Sequence, residues 1–131
     1  MENKHVEIAM ELRSGASCPN CAETILMAYA KEMGLTKEQA ANIGSNFGGG
    51  MKAGSVCGAV SGALMVLGAM GVKQPMKIGE FQRRIRDNHN GMINCADLLK
   101  ANAMAGGDKK SHCDAMITEA ILLVDEYLGR E

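Results

Sequence analysis

The sequence is poor in aromatic residues. It contains no tryptophan and four Tyr or Phe residues among 131, against eleven methionines and sixteen glycines. A core without large rings must be packed by Ala, Leu, Ile, Val and flexible Met, while glycine allows helices to approach closely. The scarcity of rings also argues against a surface that stacks nucleic-acid bases, so we expect no nucleic-acid partner.

The chain also lacks an excess of charge of either sign, since its formal net charge is −1. No global field would therefore recruit nucleic acid or an anionic membrane. The first residues, MENKHVEIAMELR, contain neither a long apolar stretch nor a small-residue cleavage site. We expect no secretory signal and a cytoplasmic protein. In that reducing compartment cysteines more often bind metal or turn over catalytically than form permanent disulfides.

Long hydrophobic runs are absent except for one uncharged segment, residues 53–72. It is long enough to span a bilayer, but it consists mostly of Gly, Ala, Ser and Val, which transfer weakly into lipid. Gly54, Gly58 and Gly62 follow each other at four-residue spacing, a stripe that permits close helix contact. We expect a central helix buried among other helices, and no membrane span.

Helical periodicity dominates the chain, and the alternating Val/Ile/Thr runs typical of strands are absent. The length predicts a single domain, residues 1–131. The predicted fold is all-α, a compact bundle of five to seven helices with the Gly/Ala-rich helix at its centre. The predicted helices cover residues 4–13, 21–33, 37–46, a central helix ending near 71, and residues 79–89, 95–102 and 111–128.

Five cysteines are the most informative residues present, at Cys18, Cys21, Cys57, Cys95 and Cys113. Four of them follow residues that suit helix N-termini: Asn20, Gly54-Ser55, Asn94 and Ser111. A thiol in the first turn of a helix is close to the positive end of the helix dipole, which favours the thiolate. Because the thiolate is the form that attacks disulfides and binds metals, the pattern predicts sulfur chemistry.

The spacing of the cysteines leaves several kinds of site open. Cys18 and Cys21 form a CxxC pair at a helix start, as in dithiol oxidoreductases and in half of many metal sites. The spacing 21–57–95–113 does not match a zinc ribbon. Four helix ends can nevertheless converge on one site, and four thiolates would suit an iron–sulfur cluster or zinc. Alternatively, each cysteine is a small buried hydrophobic residue.

Other candidate residues carry less information. Gly48, Gly49 and Gly50 form a loop that permits positive φ angles or close backbone approach, and together with Gly58 they are predicted to border a bound cofactor. The loop follows no strand, so it fits no nucleotide-binding motif. His5 and His89 have polar neighbours in the sequence and are expected to be solvated. His112 is adjacent to Cys113. It is expected either at the surface or in contact with the side chains that form the site, without binding the metal itself.

Several segments taken together resemble one known family. They are Asn20-Cys21-Ala22-Glu23, Phe47-Gly48-Gly49-Gly50-Met51, Cys57-Gly58-Ala59-Val60-Ser61-Gly62-Ala63, and the single residues Cys95 and Cys113. With these, the chain resembles the C_GCAxxG_C_C redox-active proteins of bacteria and archaea from about Ser14 to Cys113. The resemblance implies a small helical redox protein whose four family cysteines are Cys21, Cys57, Cys95 and Cys113. Cys18 is an addition to that set.

This resemblance also implies a cofactor. Related modules are similar to part of the split-Soret cytochromes, which implies an iron–sulfur centre and electron transfer. The chain has no CxxCH motif for covalent haem.

A second resemblance concerns the CxxC segment. Peroxidase-like proteins of the carboxymuconolactone decarboxylase superfamily are similar in placing a CxxC at a helix start, followed by a helical hairpin. Cys18-Pro19-Asn20-Cys21 and Gly34-Leu35-Thr36-Lys37-Glu38 are similar to that arrangement. The histidine that these enzymes place three residues after the second cysteine is Thr24 here, so their proton relay is missing.

Three hypotheses follow. In the first, Cys21, Cys57, Cys95 and Cys113 bind an iron–sulfur cluster or another metal for electron transfer with a partner protein. In the second, Cys18 and Cys21 perform thiol–disulfide exchange, with Cys18 as the exposed attacking thiol and Cys21 as the buried resolving thiol. In the third, the chain is a non-catalytic helical binding module. Whether it is an enzyme is left open, and its glycine stripe and Met-rich faces would suit a homodimer.

Overall fold

The computed structural model describes residues 3–129 and is helical throughout that range apart from its connections. Eight α-helices lie in this part of the chain: α1 (Lys4–Arg13), α2 (Cys21–Ala28), α3 (Ala30–Met33), α4 (Lys37–Gly44), α5 (Gly58–Ala69), α6 (Pro75–Asp87), α7 (Cys95–Met104) and α8 (Lys109–Tyr127). The all-α prediction is confirmed, while the predicted range of five to seven helices is too low by one.

The additional helix arises from a break in the predicted helix 21–33. Tyr29 separates α2 from α3 with backbone angles of φ −108° and ψ 9°. Its buried hydroxyl donates to Oδ1 of Asp125 at 2.7 Å. This contact joins α2 to the distant helix α8, which local periodicity cannot reveal.

Several predicted helix ends are confirmed by their capping residues. Asn20 caps α2 and Thr36 caps α4, each in a reciprocal capping box. Gly34 ends α3 in the left-handed conformation, with φ 74°.

Two predicted starts are wrong. α6 begins one turn early at Pro75, whose fixed φ suits a first helical position. α8 begins after Asp108, which accepts from the Ser111 amide at 2.9 Å.

The core forms where α5 packs against both α2 and α8, while α1 also contacts α2 and α8. Its largest fully buried side chains come from these helices and α6: Tyr29, Phe81, Ile25, Leu26, Leu67, Ile85, Ile117 and Ile121. The central position of α5 depends on glycine. A Cβ at Gly62 would lie 3.1 Å from Cβ of Ile25, so α2 and α5 could not approach as closely with a larger residue.

The predicted glycine loop is a left-handed turn. Residues Ser45–Phe47 form one 3-10 turn, and the following backbone has positive φ at Gly49, Gly50, Met51 and Lys52. Left-handed backbone costs a residue with a Cβ about 1–2 kcal/mol, whereas glycine adopts it without that penalty. Residues 3–129 contain no β-sheet, although one isolated antiparallel bridge joins Val56 and Asn94 just after this turn.

A buried polar cluster fastens α1 to α8, contrary to the expectation that His5 is solvated. His5 is 6 % exposed and stacks on the Tyr29 ring with centroids 4.0 Å apart. Its Nδ1 lies 3.1 Å from Asp125 Oδ2, and its Nε2 contacts the Glu32 carboxylate. Asn3 donates to the same Asp125 oxygen at 2.8 Å. The sequence placed His5 among polar neighbours, but the partners of its ring, Tyr29, Glu32 and Asp125, are distant in the chain.

His89 is also not simply solvated. It is half-buried, and its Nε2 lies 2.7 Å from the Glu119 carboxylate of α8. This contact and the Phe81–Tyr127 ring contact fasten α6 to α8.

Replacing Asp125 by alanine is expected to lower the free energy of unfolding by about 3 kcal/mol, because buried His5 and Tyr29 would lose their common partner. Urea unfolding followed by circular dichroism measures the loss. Asp87→Ala, at an exposed position of α6, is the control and should change the value by less than about 0.5 kcal/mol. A loss below about 1 kcal/mol for Asp125→Ala would show that the cluster is not a structural anchor.

Candidate functional site

All five cysteines line one cavity of about 480 Å³. The cavity lies where the starts of α2, α5, α7 and α8 come together. Its remaining walls include three apolar side chains, three cations and one imidazole: Leu98, Leu99, Met116, Arg13, Lys109, Lys110 and His112. The four helix ends that the cysteine spacing suggested therefore do meet in one place.

Cys21 reaches the cavity as the first residue of α2. The Asn20 side chain accepts from the Glu23 amide at 2.8 Å, and the Glu23 carboxylate accepts from the Asn20 amide at 2.8 Å. Asn20 also donates to the Ser45 carbonyl at 3.2 Å. A Cβ at Gly48 would lie 2.5 Å from Cγ of Asn20, so this glycine lets the loop close over the cap.

Cys57 and Cys95 are held together by backbone hydrogen bonds. The Cys57 amide donates to the Ile93 carbonyl at 2.9 Å, and the Cys95 amide donates to the Ser55 carbonyl at 2.6 Å. These bonds flank the Val56–Asn94 bridge and bring the starts of α5 and α7 side by side. Their geometry depends on the left-handed turn, because Ser55 also donates from its amide to the Gly50 carbonyl at 2.9 Å.

The four predicted cofactor-bordering glycines have different positions. Gly49 and Gly58 line the cavity. Gly48 packs on Asn20, and Gly50 packs against the Ser55 backbone. Gly58 also allows α5 to lie close to α2 and to the 3-10 turn, since a Cβ there would lie 3.2 Å from the Ala22 amide nitrogen and 2.9 Å from the Phe47 carbonyl oxygen. Of the three glycines predicted to form a stripe on the central helix, only Gly58 and Gly62 lie in α5, because Gly54 precedes that helix.

The expected capping pattern around the cysteines holds in part. Asn20 caps α2 with its side chain, whereas Asn94 stands at the N-cap of α7 without such a bond. Cys57 itself occupies the N-cap of α5. Cys113 lies in the second turn of α8, since the helix begins at Lys109.

The prediction that helix starts favour the thiolate is wrong for three of the four cysteines, Cys21, Cys57 and Cys95. Cys57 is 5 % exposed, and burial raises its pKa to about 11 although the Ala59 and Val60 amides of α5 oppose the shift. Burial likewise raises the pKa of Cys95. At these positions desolvation outweighs the helix dipole, so both thiols are protonated at neutral pH.

Cys21 and Cys113, which both line the cavity, change each other's pKa. The hydrogen bond from the Cys21 thiol lowers the pKa of Cys113 to about 6, despite partial burial and with help from Arg13 and Lys109. The same bond, together with burial, raises the pKa of Cys21. At neutral pH Cys113 is therefore a thiolate and Cys21 is the donor that stabilises it.

Cys18 differs from the other four because its side chain is exposed at the edge of the cavity. Its Sγ contacts the Pro19 carbonyl oxygen at 3.8 Å. Exposed Cys18 and half-buried Cys21 have the relative accessibility that the CxxC hypothesis requires.

Sequence reasoning missed Arg13 as a site residue. It is the last residue of α1 and lies in the cavity wall. Burial alone would lower its pKa, but the hydrogen bond to Asp114 and the nearby Cys21 and Cys18 raise it, so its charge is fixed. Its position in the sequence, in the last turn of a helix, is common for a surface arginine and gave no signal of this role.

The thiols are not gathered around a single point. In the described range 3–129, no group of three or more His, Cys, Asp or Glu side chains is placed to hold one metal ion. The cysteines of this range thus line the same cavity, but they are not arranged to bind a single metal ion.

A family model described as "Putative redox-active protein (C_GCAxxG_C_C)" matches residues 19–127. The chain belongs to the C_GCAxxG_C_C family. Its predicted membership is confirmed, and the family's description is that of a redox-active protein. Residues 57–62 read CGAVSG, so the cysteine and the first glycine stand in the opposite order to the letters of the family's name. All the cysteines after Pro19 lie within the matched range.

Comparison with other proteins adds no further relatives of this C_GCAxxG_C_C protein. No curated protein and no solved structure matches the chain. Among its helices between residues 3 and 129, none has the length and apolar character needed to cross a membrane.

Proposed function

We propose that this protein holds an iron–sulfur cluster through Cys21, Cys57, Cys95 and Cys113 and serves in electron transfer. The observation that carries the proposal is that these cysteines, distant in sequence, line one cavity at four helix starts. Four cysteine thiolates are the usual protein ligands of such clusters.

The size of the site favours a cluster over a single ion. A polynuclear cluster spreads its ligands over several metal atoms, so the thiols need not converge on one point. The described residues offer no site for one ion, while the cavity of about 480 Å³ has thiols on several walls. Thiolates are soft ligands, which suits iron–sulfur centres and disfavours hard cations such as Mg²⁺ or Ca²⁺.

The electrostatics of the walls also support this proposal. Cys21, Cys57 and Cys95 are protonated when no metal is bound, so binding would release their protons and become weaker at low pH. The Arg13 and Lys109 cations would offset part of the resulting negative charge. Leu98, Leu99 and Met116 would exclude water from the thiolates.

When bound, such a cluster supplies single-electron oxidation and reduction. The protein would then exchange electrons with a partner, which we propose to be another electron-transfer protein.

Anaerobic reconstitution with ferrous iron and sulfide tests the proposal. We expect near-integral iron and acid-labile sulfide, with visible absorption, in the wild type. Cys57→Ser should lose most of the iron, since it removes a buried ligand. Cys18→Ser is the matched control and should retain it, because Cys18 lies outside the four-cysteine set. A colourless, iron-free wild type under these conditions would refute the cluster.

The lowered pKa of Cys113, which lines the same cavity as the Cys21 thiol, favours a second candidate function, thiol–disulfide exchange. The Cys113 thiolate would attack a partner's disulfide and release one partner thiolate. Cys21, after losing its proton, would attack the mixed disulfide, release the second thiolate and leave a Cys21–Cys113 disulfide. The dithiol is thereby oxidised by two electrons and the partner reduced. The Cys18–Cys21 pair remains the alternative dithiol.

The two dithiols are distinguished by titrating metal-free protein with oxidised glutathione and mapping the disulfide by mass spectrometry. Loss of two thiols with a Cys21–Cys113 linkage would support the new pairing. A Cys18–Cys21 linkage would support the CxxC pairing, and five persistent thiols would exclude both.

A further inference from the structure

Arg13 connects three segments of the chain beside the cavity. It ends α1 and is 6 % exposed. Its Nε donates to Oδ1 of Asp114 at 2.7 Å, and one terminal nitrogen donates to the Pro19 carbonyl at 2.7 Å. Pro19 and Asp114 are 95 positions apart, so one buried guanidinium joins two segments that are distant in the sequence.

Both partners of Arg13 lie next to cysteines. Pro19 stands between Cys18 and Cys21, and Asp114 directly follows Cys113. The two hydrogen bonds therefore fix the segment carrying Cys21 relative to the turn of α8 carrying Cys113. Asp114 is itself held from the other side, because Lys110 contacts its second oxygen at 3.0 Å.

The planar guanidinium is suited to this task in a way that lysine is not. It presents several N–H groups in fixed directions, so it donates to a carboxylate and a carbonyl at the same time without bending either segment. The ammonium of a lysine is a single point of contact at the end of a flexible chain. It could satisfy one of the two partners well, but not both in the observed geometry.

We infer that Arg13 is a positioning residue that keeps the thiols of Cys21 and Cys113 close to each other in the wall of the cavity. Without Arg13, α2 and α8 would each keep their own N-cap hydrogen bonds. The distance between the loop 18–20 and the start of α8 would no longer be fixed. The inference rests on the proposed function only in that both cysteines belong to the proposed ligand set.

Phenylarsine oxide provides a direct test in metal-free, reduced protein. Its arsenic forms two As–S bonds to a close pair of thiols, and the two thiol protons leave with the oxide oxygen as water. A Cys18→Ser background removes the CxxC pair. The dissociation constant is measured by titration, and the thiols that the arsenical protects from iodoacetamide are identified by mass spectrometry.

In that background we expect the arsenical to protect Cys21 and Cys113. Arg13→Gln should weaken its binding by about tenfold or more, which corresponds to about 1.4 kcal/mol. Arg13→Lys should restore part of the affinity, and Arg86→Gln, at an exposed arginine of α6, should leave it unchanged. Asp114→Ala removes the α8 partner of Arg13 but leaves the bond to Pro19, so it should also weaken binding and tests the inference even where Arg13→Gln fails to fold.

All titrations are made at a temperature at which circular dichroism shows the variant to be folded. A purely structural role would lower the melting temperature but leave the dissociation constant of the folded variants unchanged, which would overturn the inference. Protection of a different pair of thiols in the Cys18→Ser protein with Arg13 intact would overturn it as well. Failure of iron to bind, with the arsenical results as expected, would refute the cluster alone.

Discussion

Gly50→Ala is expected to lower the free energy of unfolding by about 3 kcal/mol or more. Gly50 has φ 68°, and a Cβ there would lie 2.6 Å from the Ser55 amide nitrogen and 2.7 Å from its carbonyl carbon. The left-handed backbone costs alanine about 1 kcal/mol, and the displaced backbone adds the rest. Urea unfolding measures the loss.

Gly49→Ala is the matched control for this prediction. Gly49 has nearly the same φ, 65°, but a Cβ there meets nothing within 4 Å. We expect a cost of about 1 kcal/mol from the backbone alone. Equal losses for the two variants would show that the contact with Ser55 is unimportant.

The Gly50→Ala substitution should also change the geometry of the cysteine cavity. Ser55 accepts the hydrogen bond of the Cys95 amide, so a shift of Ser55 displaces the start of α7 relative to Cys57. A folded Gly50→Ala protein should therefore bind less iron on reconstitution than the wild type.

The second large effect is expected at Cys113 in metal-free protein. Its pKa of about 6 depends first on the hydrogen bond from Cys21. Cys21→Ala removes the donor and should raise the midpoint of Cys113 alkylation to about pH 8 or above, close to an ordinary thiol. At pH 7 the thiolate fraction would fall from about nine-tenths to about one-tenth.

The sign of the pH dependence is that of an acid with a lowered pKa. Above pH 6 the wild-type thiolate reacts, and alkylation falls as the pH drops through about 6. The measurement is the rate of Cys113 alkylation by iodoacetamide across pH 5 to 9, read by mass spectrometry. Cys21→Ser keeps a hydroxyl donor and should give an intermediate midpoint. An unchanged midpoint in Cys21→Ala would contradict the assigned hydrogen bond.

The sequence predicted those parts of the fold that depend on neighbouring residues. Asn20, Thr36 and Gly34 act within one turn of their positions, so their roles follow from local chemistry. The convergence of the cysteines was suggested by their repeated placement at helix starts. Asp108 and Ser111 are both suitable N-caps, and the structure uses the earlier one, which adds two lysines to the start of α8.

The parts that could not be predicted depend on distant partners. Tyr29 interrupts a helical pattern near its bond to Asp125, and His5 is buried by residues from α3 and α8. Arg13 gains its role from residues 6 and 101 positions away. None of these partners can be paired from periodicity in a single sequence.

The charge states of Cys21, Cys57 and Cys95 were mispredicted for a different reason. Position at a helix start is visible in the sequence, but the depth of burial is not. For Cys57 the loss of hydration exceeds the benefit of two backbone donors. For Cys113 the decisive group is another cysteine, 92 positions away.

Helix α1 has a consequence for how fragments of this chain should be cut. The family match begins at Pro19, after α1 has ended, yet α1 supplies Arg13 to the cavity wall and His5 to the buried cluster. A fragment starting at the match boundary would leave Asp125 and Asp114 without these partners and would expose the core residues against which Ala9 packs. Expression designs for this protein should retain residues 3–18.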